Sequence, residues 1–188
     1  MIMKILLING SPRRNGNTST ALTAIEKGIT ANLKAEVESI RAYDLKVAAC
    51  LNCDFCKRHA GKCVHPDDTN FFLDKVIAAD VIIFASPVYW WGISAQTKLL
   101  IDKFYARDEE LHKLKKQVGI VSTGAGELDD PQYQLIGGQM RNICKFLGWN
   151  LIFSESIMAW GGSELLKNQE RLNELEYLWN SIDSVPQD

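Results

Sequence analysis

Apolar residues run almost unbroken through positions 2–8 (IMKILLI), 80–85 (DVIIFA), 117–121 (QVGIV) and 151–157 (LIFSESI). Short runs of this kind, rich in Ile and Val and bounded by turn residues, read as strands buried on both faces. Positions 35–44 (AEVESIRAYD) alternate apolar and polar instead, which predicts a strand nearer a sheet edge. Between these segments a helical period predicts helices over 17–32, 67–78, 94–106, 132–147 and 163–182. Strand and helix therefore alternate along the chain, and each crossover helix calls for a parallel neighbour strand.

The expected architecture is α/β: a doubly wound, five-stranded parallel sheet of flavodoxin-like type, order 2-1-3-4-5, with helices on both faces. Ligands of such sheets bind beyond the carboxyl ends of the strands, so chemistry is sought in the loops after strands one, three and four. At 188 residues the chain suits a single domain spanning 1–188, with a cysteine-rich loop at 48–66 and a loose tail at 184–188 (SVPQD).

Charge adds an exclusion: a formal net charge of -2 offers no basic excess for nucleic acid. The apolar N-terminal run is too short to span a membrane and lacks a basic leader, so a cytoplasmic protein without a membrane partner is expected. Four of the five cysteines fall between 50 and 63, a spacing unlike a secreted disulfide framework and suited to reduced thiols.

The first loop reads GSPRRNGNTS, from Gly10 to Ser19. A helix N-terminus there offers unpaired N–H groups, Ser11, Asn17, Thr18 and Ser19 add neutral donors, and Arg13 adds a guanidinium. Five residues, not four, separate Gly10 from Gly16, and Asn17 follows, so this is no Walker loop. The dinucleotide fingerprint G-x-G-x-x-G is absent as well. A cradle for one terminal phosphate fits best; the plain alternative is a helix start capped by Asn17 or Thr18.

After strand three, Pro87, Val88, Tyr89, Trp90 and Trp91 place aromatic groups on a loop above the sheet, as a flat ring ligand would require. Trp91 fits packing under another loop or at a subunit interface equally well. After strand four, Ser122, Thr123, Gly124, Ala125 and Gly126 let backbone amides approach a ligand closely.

With these loops in order, the chain resembles the NAD(P)H-dependent FMN reductases of the flavodoxin-like superfamily, and within them the iron-sulfur flavoprotein branch. The matching pieces are GSPRRNGNTS, CLNCDFCKRHAGKCVHPDD, SPVYWWGISAQTKLLIDKF and STGAG. The resemblance implies FMN phosphate on Ser11, Arg13, Asn17, Thr18 and Ser19. It implies the isoalloxazine between Pro87, Val88, Tyr89 and Trp90 on one side and Ser122, Thr123, Gly124, Ala125 and Gly126 on the other. Trp91 and Tyr133 are further candidate contacts. It also implies hydride transfer from NAD(P)H with no acid or base side chain, electrons passed to a small-molecule acceptor or redox protein, and a homodimer or homotetramer. The alternative readings are a non-enzymatic flavodoxin-like electron carrier and a thiol-based sensor.

Cys50-x2-Cys53-x2-Cys56, followed after six residues by Cys63, repeats the spacing by which thiolates hold an iron-sulfur cluster. The resemblance implies a [4Fe-4S] cluster exchanging electrons with FMN. Plain reduced thiols and a four-thiolate zinc site remain open, although zinc sites commonly use two separated C-x2-C pairs. His59 and His65 read as solvated, Cys144 as a buried apolar thiol, Lys98 and Asp102 as a surface ion pair, and residues 107–116 as an exposed connection.

Overall fold

The computed structural model describes residues 2–183; the tail expected at 184–188 lies outside them. Five parallel strands, β1 (Met3–Asn9), β2 (Ala35–Arg41), β3 (Val81–Pro87), β4 (Gln117–Gly124) and β5 (Asn150–Met158), form one sheet in the order β2-β1-β3-β4-β5. This is the flavodoxin-like order that the alternating pattern predicts.

Both faces of the sheet are covered because alternate strand residues point to opposite sides. Leu6, Ile8, Ile82, Phe84, Val118 and Ile120 pack on one face against α3 (Thr69–Ala78), α4 (Ala95–Asp102) and α6 (Pro131–Leu147), through Phe72, Leu100 and Met140 among others. Ile5, Leu7, Ile83 and Val121 pack on the other face against α1 (Asn17–Asn32) and α7 (Gln169–Tyr177), through Ile25, Ile29 and Leu175. Every residue of the inner strand β3 is buried.

Four expectations change. β5 is an edge strand with exposed and half-buried positions, not a fully buried run, because β4 is its only neighbour and Ser154 and Glu155 face outward or sideways. The helix expected over 163–182 is divided into a 3-10 turn at Glu164–Lys167, α7, and a 3-10 turn at Leu178–Ser181; the Asn168 side chain caps α7 by accepting from the Arg171 N–H at 3.0 Å. The helix expected over 94–106 is α-helical to Asp102 and continues as a 3-10 turn at Lys103–Arg107. The 107–116 segment holds the short helix α5 (Asp108–Leu111), and it buries Leu111 and Lys116 instead of lying open. Lys98 and Asp102 do form the expected ion pair on a solvated face.

Candidate functional site

Register fixes where the loops meet. Asn9 lies beside Ala85 and Pro87 beside Thr123, so the chain leaves β1, β3 and β4 at adjacent points. The strand order reverses between β1 and β3, the position at which such sheets open a crevice. Gly10 is pinned there: its N–H donates to the Ala85 carbonyl at 2.7 Å, and its own carbonyl accepts from Ser94 Oγ at 2.7 Å. A Cβ at Gly10 would stand 2.0 Å from Thr97 Oγ1, so no larger residue fits.

From Gly10 the chain curls around the first turn of α1. The Ser11 N–H donates to Asn9 Oδ1 at 2.9 Å, the Arg13 N–H to Ser11 Oγ at 3.2 Å, and Ser19 Oγ to the Arg13 carbonyl at 2.9 Å. From outside, Arg41 donates to the Pro12 carbonyl at 3.2 Å and Asp44 pairs with Arg14 at 3.3 Å. The N-cap of α1 is Gly16, without a side-chain cap. The first-turn N–H groups of Asn17, Thr18 and Ser19 therefore face the concavity with no intrahelical acceptor, and Arg13 stands exposed at its rim.

Two predicted roles change here. Asn17 does not cap the helix, and its amide is turned inward: Nδ2 donates to the Gly161 carbonyl and Oδ1 accepts from the Leu165 N–H at 3.0 Å. Thr18 Oγ1 shares a hydrogen bond with Thr123 Oγ1 at 2.6 Å. Both residues are buried, so what they present to an anion is backbone N–H, not side chain.

The loop after β3 is a two-residue hairpin turn. Tyr89 and Gly92 exchange both backbone hydrogen bonds, at 2.9 and 3.1 Å, and the residues between them are Trp90 at φ +48° and Trp91 at φ +60°. Positive φ at both central positions is the signature of a type I′ turn, which favours Asn and Gly. Two tryptophans held there carry strain of about 1–3 kcal/mol each. Strained positions of this kind cluster at functional sites, and Trp90 is 92% exposed.

Ser122, Thr123 and Gly124 belong to β4 itself, buried, and only Ala125 and Gly126 begin the loop. Ser122 Oγ donates to the Glu155 carbonyl at 3.2 Å and the Val88 N–H to the Thr123 carbonyl at 2.8 Å, tying the aromatic turn to β4. Tyr133 is buried below, donating to the Gly126 carbonyl at 2.9 Å; burial raises its phenol pKa and Asp130 adds to the rise. That bond supports the loop after β4. The aromatic turn borders an open cavity of about 660 Å³ lined by Val88, Tyr89, Trp90, Trp91 and Gln132, and neither the phosphate-loop residues nor Ser122–Gly126 line it.

Gln132 escaped the sequence reading, as did the loop after β5. The Trp160 and Gly161 N–H groups donate to the Glu164 carboxylate at 2.7 and 3.2 Å, and Gly161 holds Asn17. The run WGGSE directly after a strand was the available signal.

Four of the five cysteines form a separate lobe. Helix α2 (Phe55–Arg58) carries Cys56, and Lys57 clamps the lobe to the 103–108 segment by donating to the Tyr105 carbonyl at 2.7 Å and pairing with Asp108 at 2.5 Å. Tyr105 donates to Asp54 at 2.7 Å, and that bond pushes its pKa up to about 12. Burial raises the Cys56 thiol as well, partly offset by Lys57. Cys50, Cys53, Cys56 and Cys63 line one narrow cavity together with His65 and Lys103. Lys103 Nζ and His65 Nε2 are buried with no hydrogen-bond partner. His65 is thus not solvated as expected, whereas His59 is exposed and stacked on Phe55 with centroids 3.6 Å apart.

Among the described residues no three His, Cys, Asp or Glu side chains converge as ligands of a single metal ion. A cubane cluster makes a different demand, since each of its four iron corners takes one thiolate. Four thiols around one cavity meet that donor count, and two orphaned nitrogens supply donors for sulfur acceptors. The space between them is only about 20 Å³, so a cluster would require the exposed loop bearing Cys50 and Cys53 to stand further out.

Residues 3–159 match the family described as NADPH-dependent FMN reductase. An iron-sulfur flavoprotein of Methanocaldococcus jannaschii is 41% identical over 84% of this chain and 76% of its own. One from Methanosarcina thermophila is 31% identical over 78% of this chain and 72% of its own. Among solved structures, an NAD(P)H:quinone oxidoreductase from Methanothermobacter marburgensis superposes with a TM-score of 0.70 at 13% identity, covering 100% of both chains. A flavone reductase gives 0.71 at 21% identity, over 94% of this chain and 60% of that one. At such identities the structures speak for the fold alone. Among the described residues no helix is long and apolar enough to cross a membrane. The sequence match over most of the chain, joined to loops that converge at the switch point of a doubly wound sheet, shows that the chain belongs to the NADPH-dependent FMN reductase family, whose members are NAD(P)H-dependent flavin oxidoreductases.

Proposed function

We propose that the chain forms one FMN-binding unit that takes hydride from NAD(P)H at the strand-end cavity and delivers electrons to a small acceptor, with the cysteine lobe at 48–66 holding a [4Fe-4S] cluster as relay. The observation that carries the reading is the strained Tyr89–Gly92 turn, which presents two tryptophans beside the cavity at the switch point. FMN, when bound, supplies the hydride and electron chemistry.

This chain's residues supply position and electrostatics. The N–H groups of Asn17, Thr18 and Ser19, Ser11 Oγ and the Arg13 guanidinium would hold the phosphate. Pro87, Val88, Tyr89 and Trp90 would bear on one side of the ring, and the backbone from Ser122 through Thr123, Gly124, Ala125 and Gly126 on the other. The amides after β4 would favour negative charge on the reduced ring. Trp91 lines the open cavity, where nicotinamide and acceptor would enter in turn. Cys50, Cys53, Cys56 and Cys63 would each ligate one iron corner. A homodimer or homotetramer would cover the exposed Trp90.

The test is the visible spectrum of protein purified without oxygen, followed by NADH and NADPH addition. Two resolved flavin bands on a broad brown background, both bleaching with NAD(P)H, are expected. Flavin bands without the background would remove the cluster and keep the reductase. Flavin that NAD(P)H leaves oxidised would point to an electron carrier, and protein that refuses added FMN would overturn the proposal.

A further inference from the structure

The chain carries two Asn-Gly pairs close together, Asn9-Gly10 and Asn15-Gly16, and the fold treats them in opposite ways. Asn9 is buried at the end of β1; its Nδ2 donates to Ser19 Oγ at 2.9 Å and its Oδ1 accepts from the Ser11 N–H at 2.9 Å. The Gly10 N–H is engaged as well, donating to the Ala85 carbonyl at 2.7 Å. Both groups of that pair are therefore held apart from one another. Asn15 is exposed, in the turn that leads from the phosphate loop into α1. Neither its side-chain amide nor the Gly16 N–H makes a hydrogen bond of normal geometry among the described residues. Gly16 has no side chain to block an approach to its nitrogen, and that nitrogen lies outside strand and helix alike.

We infer that Asn15 is a site of spontaneous covalent modification: the Gly16 amide nitrogen closes on the Asn15 side chain, and the amide becomes a carboxylate at the phosphate loop. In the first step the Gly16 nitrogen bonds to Asn15 Cγ and the Cγ–Nδ2 bond breaks. The side-chain nitrogen leaves as ammonia, taking the Gly16 amide proton, and a cyclic imide remains. Water then opens the imide at either carbonyl, giving aspartate or its isoaspartyl isomer, so solvent is the sole co-reactant. At Asn9 the same closure would have to break three hydrogen bonds inside the fold. What the modification does rests on the phosphate reading above. The new negative charge stands directly before Gly16, the N-cap of α1. There it repels a phosphate, and it draws the first-turn N–H groups of Asn17, Thr18 and Ser19 to itself. Modified chains should therefore reload FMN poorly, which makes this turn a timer on cofactor exchange.

The experiment holds FMN-free wild type, FMN-loaded wild type and Asn15→Gln at mildly alkaline pH. Peptides from timed samples are mapped by mass spectrometry, with isoaspartyl forms separated by chromatography. In the FMN-free chain residue 15 should change from amide to acid in both isomers while Asn9 stays an amide. Asn15→Gln, whose longer side chain closes the ring poorly, should stay unmodified there, and bound FMN should slow the change in wild type. Converted protein and a directly made Asn15→Asp should both bind FMN about tenfold more weakly, read by fluorescence titration. An Asn15 that remains an amide in the FMN-free chain overturns the inference, and so does an Asn9 that converts as fast. Conversion at Asn15 with FMN affinity unchanged, in the converted protein and in Asn15→Asp alike, supports the modification and overturns the phosphate reading of the loop.

Discussion

Lys103 and Lys116 are both buried, 2% and 4% exposed, yet the fold surrounds them differently. Lys116 precedes β4 and donates to the carbonyls of Ile77 (2.9 Å) and Ala79, with the Trp149 ring 6.0 Å away. Lys103, on the wall of the cysteine cavity, has no partner of its own. Lys116 is held by backbone carbonyls, whereas Lys103 meets no hydrogen-bond acceptor and is balanced only by the charge of Asp67. A similar contrast separates the phosphate loop, whose side chains are largely committed to one another, from the cysteine lobe, whose four thiols line one narrow cavity.

The sharpest way to break this comparison is to replace both lysines by methionine in cluster-free protein. Lys103→Met removes a buried ammonium that has no hydrogen-bond acceptor but lies in the field of the Asp67 carboxylate, so the two effects offset and stability should change little. Lys116→Met leaves two carbonyls without their donor, a loss of about 1–3 kcal/mol each. Relief of its burial penalty works against that loss at neutral pH, so it should destabilise the chain most clearly at about pH 10. Urea unfolding at neutral pH and at about pH 10 reads both. An equal response of the two variants would mean that the two lysines are equivalent.

Next in size is the phosphate loop. Arg13 is exposed and makes no side-chain hydrogen bond among the described residues, so Arg13→Ala should leave the melting temperature unchanged. Losing a charge-assisted bond of about 1.5–3 kcal/mol should weaken FMN binding about 10- to 100-fold, read by fluorescence titration of apoprotein. Unchanged affinity would take the phosphate away from this loop. Asn17→Ala is the less clean variant, because it also releases Gly161 and Leu165.

That difference shows where sequence reading stops. The central strands were legible because burial on both faces leaves no room for polar residues, and the phosphate loop because a glycine turn before a helix has few purposes. Which way Asn17 and Thr18 point was not legible: it depends on Gly161, Leu165 and Thr123, all more than a hundred residues away. Leu111 and Lys116 were hidden for a related reason, since a buried leucine and lysine inside RDEELHKLKK look like a solvated face until Trp149 and the Ala79 carbonyl arrive beside them. The left-handed tryptophans could not be foreseen from propensity, which opposes them; sites that break local rules are where function is stored.

A pH series refines the lysine comparison further. Burial lowers the Lys116 pKa from its ordinary 10.5 to about 8. Below pH 8 the amine is charged in both states and the burial penalty is complete. Between 8 and 10.5 the unfolded chain binds more protons, so stability contributed by Lys116 rises with pH, by at most about 1.4 kcal/mol per pH unit. Wild type should therefore gain on Lys116→Met across that window. A constant difference between the two would place the titration elsewhere.

The smallest effect concerns reactivity rather than stability, and it reads the occupant of the cavity directly. Cys144 is 2% exposed in α6, and burial pushes its thiol up to about 11. At pH 8 its thiolate fraction is then about a hundredfold below that of an ordinary cysteine. In cluster-free protein, Cys50 and Cys53, both exposed, should be alkylated first, the half-buried Cys56 and Cys63 next, and Cys144 only after denaturation. Mass spectrometry of timed samples resolves the order. Loading with iron and sulfide should then protect the four lobe thiols together and leave Cys144 as it was, because the lobe thiols would bond iron while Cys144 is shielded by packing alone. Protection of only some of the four would mean that they do not share one centre.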